Sequence, residues 1–219
     1  MMIKSKAFTL TELLLALTIV GTIATLTVPR MMEDIHKKTS IAQLKNTINQ
    51  IELAITKQMT EVKTSDLTNT VFNNVNNVAS AFDTSIVCNN NNREKCWNTA
   101  PYKIVNRNTQ AAWTPGSIYF VLKNGTSISY SRNEGNESFP NLVGTFYIDL
   151  NGNNGPNIIG RDAFAMYVTR EGKLQGYWGT TNNASLAQVK ANIAGDENMS
   201  GVATNCYNYL TMNNWVMDY

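Results

Sequence analysis

Residues 6–29 read KAFTLTELLLALTIVGTIATLTVP, and the fold turns on where this run is placed. From Leu13 to Val28 no residue is charged, and Leu, Ile, Val and Ala dominate. Extended back to Phe8, the segment has 21 residues, about the length a helix needs to cross a bilayer. The stretch ahead of it, MMIKSKA, carries Lys4 and Lys6, which favour a cytoplasmic N-terminus. One residue does not suit the run. Glu12 is a carboxylate near its start, and an acid at the bilayer centre costs roughly 2.5–3.5 kcal/mol on insertion scales, less near an interface. An ionisable group in such a place points to function.

Past Pro29 the pattern changes from apolar all round to apolar on one face. Ile41, Leu44, Ile48, Ile51, Ile55, Met59 and Val62 recur at steps of three or four, with Lys45, Glu52, Lys57 and Lys63 among them. That spacing predicts an amphipathic helix with a single stripe to bury. The expected organisation is a leader over residues 1–7 and one long helix over 8–62. Its 8–28 part is transmembrane and its 29–62 part amphipathic, and a globular α+β head spans 63–219.

In the head, SIYFVLKNGTSISY places two apolar runs around Asn124-Gly125, a hairpin signal. Gly144–Leu150 and Ala163–Thr169 read as further strands, and Lys173–Trp178 as one more after the Glu171-Gly172 turn. The tail CYNYLTMNNWVMDY predicts a short helix, an Asn-Asn turn and a final strand. The expected fold is a long N-terminal helix packed on a small antiparallel sheet. Phe164 and Met166 should alternate inward.

Composition excludes several functions. Apolar residues make up 43% of the 219, enough for a core. A net charge of +2, with no Lys/Arg block, argues against a nucleic-acid partner. One histidine, His36, no Gly-x-Ser-x-Gly and no phosphate loop leave little for an enzyme. The frequent asparagines, as in CNNNNREKC and NGNNGPN, mark loops. Cys88 and Cys96 bracket one such loop and are the favoured disulfide pair in an oxidising compartment. Cys206 is left as a buried thiol or as a partner for one of the two.

Three accounts of residues 1–30 compete. A cleaved secretory signal needs small residues after its apolar core, and TIATLTVPR offers weak candidates. A plain anchor leaves Glu12 unexplained. The third rests on KAFTLTE followed by an apolar run, which resembles the N-terminus of type IV pilin-like proteins, including the pseudopilins of type II secretion. The resemblance implies cleavage by prepilin peptidase between Ala7 and Phe8, methylation of the new Phe8 amine, and an acid at the fifth mature position, which is Glu12. Pro29 then becomes the twenty-second mature residue, where the family has a helix-kinking proline. The chain departs from the family at Ala7, where Gly is usual, and at Thr11, where an aliphatic residue is usual. By the same resemblance Glu12 meets the Phe8 amine of a neighbouring subunit, because a buried charge is tolerable mainly when paired.

The other end carries a second resemblance. FYIDLNGNNGPNIIGRDAFAMYVTREGKL is similar to a D-x-N-G-x-x-G-P-N-x-x-G-x-D-x-F run of many bacterial pilin-like proteins, and the Cys206–Tyr219 tail resembles theirs. Ser65 to about Val143 has no match. Asp149, Asn151, Asn153 and Asp162 put oxygens on a tight loop, a ligand set hard cations such as calcium prefer. The spacing copies the start of an EF-hand but fails at Asn154 and Gly160, which stand where Gly and Glu belong. The competing account is a metal-free turn built on Asn151-Gly152 and Gly155-Pro156, with Asp149 capping amides.

These resemblances imply a pilin-like fold. They imply a single-pass protein of the bacterial inner membrane with an extracytoplasmic head, later drawn into a pilus or pseudopilus. The expected partners are prepilin peptidase, copies of itself and other pilin-like subunits, and the inner-membrane assembly platform. The alternative is an uncleaved, membrane-anchored binding or adhesion module.

Overall fold

The computed structural model describes residues 9–133, 140–176 and 184–219. The leader, Ala7, Phe8 and the end of the Lys173–Trp178 strand lie outside the described residues. The chain forms two compact units, residues 1–39 and 40–219, and the division falls inside one continuous helix, α1, Leu10–Val62.

Within residues 10–39, α1 is uniformly exposed along its apolar run. The ten Leu, Ile and Val residues from Leu10 to Val28 are each at least half exposed. Four threonines of this run satisfy their hydroxyls within the helix. Thr18, Thr22, Thr25 and Thr27 each donate to a backbone carbonyl three or four residues earlier, which satisfies the polar groups inside the helix. Pro29 lies within α1. It has no N–H, so the Thr25 carbonyl loses its intrahelical donor there.

In the second unit, Leu44, Ile48, Ile51 and Ile55 are buried and Ile41 and Met59 half-buried, as the three-and-four spacing requires. Val62, at the end of the expected stripe, is half exposed instead, because α1 stops there. The chain leaves the helix through Lys63 in left-handed backbone, then a run of 3-10 turns from Leu67 to Ala81. These turns are capped in succession by the side chains of Asp66, Thr70 and Asn74. They deliver Leu67, Phe72 and Val78 to the core.

Among the described residues the sheet has nine strands: β1 Thr84–Asn89, β2 Tyr102–Ile104, β3 Gln110–Ala111, β4 Ile118–Leu122, β5 Ser127–Arg132, β6 Leu142–Asp149, β7 Ile158–Ile159, β8 Ala163–Thr169 and β9 Leu174–Gln175. Their order is β1-β4-β5-β6-β8-β7-β2-β3, with β9 also paired to β8. The expectation of a small antiparallel sheet is corrected, because β7 runs parallel to both β2 and β8. A two-residue strand inside the 149–162 loop was too short to show a period, and it joins β2 to the rest. The hairpin around Asn124-Gly125 is β4–β5.

Every residue of β8 is buried, so both faces of this central strand are covered and Phe164 and Met166 are not distinguished from their neighbours. At Gly144 on β6 a Cβ would collide with the Tyr130 ring and hydroxyl. That close approach lets Tyr130 reach across and donate to the Phe72 carbonyl at 3.0 Å.

Among the described residues, two further helices follow the sheet: α2 Leu186–Gly195 and α3 Met199–Met212. Ser185 and Gln188 form a capping box at the start of α2, an Ser-x-x-Gln signal legible in the sequence though the helix was not expected. The tail's final strand is also corrected. After α3, Asn214 and Trp215 both adopt left-handed backbone and Trp215–Tyr219 pairs with no strand. Trp215 instead stacks edge-on to Tyr207 and lies under the Lys45 ammonium of α1, 4.9 Å from the ring centre.

Candidate functional site

Two regions hold the residues singled out by the sequence. The first is the start of α1. Thr9 precedes the helix, and its carbonyl accepts from Leu13 N–H at 3.1 Å, the first intrahelical bond. Its hydroxyl oxygen accepts from Glu12 N–H at 3.2 Å. In return the Glu12 carboxylate accepts from Thr9 N–H and from the Thr9 hydroxyl, both at 2.8 Å. Thr9 and Glu12 therefore form a reciprocal capping box, Thr-x-x-Glu, which satisfies two of the orphan donors that any helix N-terminus leaves. Glu12 is fully exposed, and its carboxylate is held at the positive end of the helix dipole.

The second region is the loop from Asp149 to Asp162. Asp149 is fully buried and Asp162 nearly so. The Tyr102 hydroxyl donates to Asp149 Oδ2, a short bond that ties β2 to the end of β6. Asn151 lies between the carboxylates. Its N–H donates to Asp149 Oδ1 at 3.3 Å, and its Nδ2 reaches the Pro156 carbonyl at 3.0 Å and Asp162 Oδ2 at 3.4 Å. Ile158 N–H donates to Asp162 Oδ1 at 2.6 Å, and Leu150 N–H to the Asp162 carbonyl at 2.8 Å. Burial pushes Asp149 up to about 8 and Asp162 up to about 7, against the pull of these hydrogen bonds. The Tyr102 phenol is pushed up as well, by burial first and then by the neighbouring carboxylates.

This arrangement does not suit a hard divalent cation, which takes six to eight oxygens with several carboxylates among them. Both carboxylates are already engaged by donors of the chain. Asn153 is exposed and spends its Nδ2 on the Glu94 carbonyl at 3.1 Å, while its backbone carbonyl accepts from Asn98 Nδ2 at 2.9 Å. The buried acceptors left without a partner here, Asn151 Oδ1 and Ser127 Oγ, are neutral. Among the described residues no three His, Cys, Asp or Glu side chains gather. The Asp149 and Asp162 carboxylates, as acceptors, and the Asn151 and Asn153 amide nitrogens, as donors, hold the loop together.

The asparagines are structural in the same sense. Asn98, Asn153 and Asn157 stitch the 93–100 segment to the 149–162 loop. Cys88 and Cys96 form a disulfide that closes the 89–95 loop, and both are buried. Cys206 is a buried free thiol beside Gly160 and Tyr219. Gly160 is in left-handed backbone, and a Cβ there would meet Cys206 Sγ at 2.7 Å. Its carbonyl accepts from the Tyr219 hydroxyl at 2.6 Å. His36 is exposed.

Sequence patterns did not reveal Tyr102, which lies 47 residues from Asp149 and meets it only through the parallel β2–β7 pairing. No known protein family, curated protein or solved structure matches this chain.

Proposed function

We propose that the chain is a prepilin-like structural subunit of a type IV pilus or a type II secretion-type pseudopilus. In this role prepilin peptidase cuts between Ala7 and Phe8, the apolar half of α1 holds the subunit in the inner membrane, and assembly moves it into a helical filament. The chain would be a building block, not a catalyst, and its partners would be other subunits and the assembly platform.

The observation that carries this reading is the division of labour along α1. One continuous helix is apolar all round and exposed from Leu10 to Val28, then buries a single stripe in the head from Leu44 to Ile55. It is a helix long and apolar enough to cross a membrane. An apolar surface of that length requires lipid or the flanks of similar helices, and a filament core supplies the second after the membrane supplies the first. The sequence resemblance around Phe8, Glu12 and Pro29 supports the same role.

Mass spectrometry of the N-terminus of the protein purified from its membrane tests the proposal. A chain beginning with methylated Phe8 is the expected result. An intact Met1 would leave a plain anchor carrying an extracytoplasmic module.

A further inference from the structure

The far edge of the sheet carries a recess of about 300 Å³ whose lining is cationic. Lys103 from β2, Arg107 from the turn that follows, and Arg161 from the end of the 149–162 loop all line it, with the amides of Asn106 and Asn108 and the apolar side chain of Ile158. No Asp or Glu is among the lining residues. The parallel register sets this up, pairing Lys103 with Ile158 and Ile104 with Ile159, so that β2 and the Arg161 turn end side by side.

The recess is built, not incidental. The Ile104–Arg107 turn is closed by Arg107 N–H on the Ile104 carbonyl at 3.1 Å, with Asn106 in left-handed backbone. The Arg107 guanidinium is pinned at the C-terminal end of α2, donating to the Asp196 carbonyl at 2.6 Å and the Ile193 carbonyl at 2.9 Å. Both acceptors are carbonyls at a helix C-terminus, which carry a partial rather than a full negative charge, so the guanidinium is oriented there without forming a carboxylate ion pair through these two bonds. Lys103 is exposed and forms no ion pair among the described residues. Lys103 and Arg107, with the two asparagines beside them, put positive charge and neutral donors around a small space, which suits an oxygen anion.

We propose that this recess is an oxyanion-binding site taking a phosphate or carboxylate group. Lys103 and Arg107 supply charge, and Asn106 and Asn108 supply neutral donors. Its size admits a small anion or the anionic end of a larger ligand. The site lies wholly within the second unit and does not depend on the filament role.

Calorimetric titration of the full-length protein in neutral detergent tests it, with inorganic phosphate and separately with succinate, at constant ionic strength. Saturable binding of either anion is expected, and which one binds assigns the group recognised. Lys103→Gln should weaken it by about tenfold, since a charged hydrogen bond is lost. Lys103→Arg should retain it, and Lys123→Gln, on a lysine paired with Asp83, should leave it unchanged. The proposal is overturned if neither anion saturates, if Lys103→Gln binds like the parent, or if Lys123→Gln weakens binding equally. Arg107 is avoided as a probe because it also holds α2.

Discussion

If the chain is the filament subunit proposed above, Glu12 would serve two stages of its life. In the isolated chain its carboxylate folds back on Thr9 and closes the first turn of α1. Paired with the amine of a neighbouring subunit, it would exchange one set of donors for a stronger, charged one. Glu12→Ala is therefore expected to insert in the membrane and be cleaved normally, yet fail to enter filaments, and Glu12→Gln to do the same because an amide keeps a cap but carries no charge. Filament yield in sheared fractions, set against cleaved subunit in the membrane, reads this out. Normal incorporation of Glu12→Ala would sink the pairing.

The buried acids make a prediction of their own. Asp149 and Asp162 hold protons in the folded state at pH values where the unfolded chain, at the model-peptide value of 3.8, has released them. The folded state binds more protons between about pH 4 and pH 8, so stability is greatest below that window and is lost as pH rises through 7 and 8. Denaturant melts should show higher stability at pH 5 than at pH 9. Asp149→Asn should flatten that dependence, and an unchanged slope in the variant would show that burial at Asp149 is not its source.

At the scale of elements, the amphipathic half of α1 is fixed by a few side chains. Ile51 is fully buried in the centre of the stripe, so Ile51→Ala should cost about 2–5 kcal/mol by chemical denaturation. Val62→Ala, at the exposed end, should cost a small fraction of that. This half of the fold was legible, because a period of three and four is a direct image of one buried face. So were β4–β5, β6 and β8, whose apolar runs are bounded by Asn-Gly and other turn formers. The β2–β7 pairing was not, because strands of two or three residues show no alternation and their partners lie more than 50 residues apart. The tail misled for another reason: WVMDY looks like a strand, but Trp215 is taken by Lys45 and Tyr207, which keeps it off the sheet. Of the candidate site, sequence gave the residues of the 149–162 loop but not their use. Which oxygens are free for a ligand depends on donors such as Tyr102 that come from elsewhere in the chain.

Taken as a whole, the molecule has apolar residues in two settings, exposed along Leu10 to Val28 and buried in the core of the second unit. The unit from Ser40 to Tyr219 has its own core, built on Trp97, Phe72, Phe120, Phe146 and the stripe of α1. A chain beginning at residue 40 is expected to be soluble without detergent and to melt in one cooperative step. Loss of cooperativity there would mean that residues 1–39 are needed for folding.

The bridging role of Asn151 has a chemical consequence over time. It precedes Gly152, the neighbour that least obstructs attack of the backbone nitrogen on a side-chain amide. Deamidation at that position would turn a donor shared by Pro156 and Asp162 into a third acid beside two already reluctant to ionise. Age alone could then loosen the loop that ties β2 to the sheet.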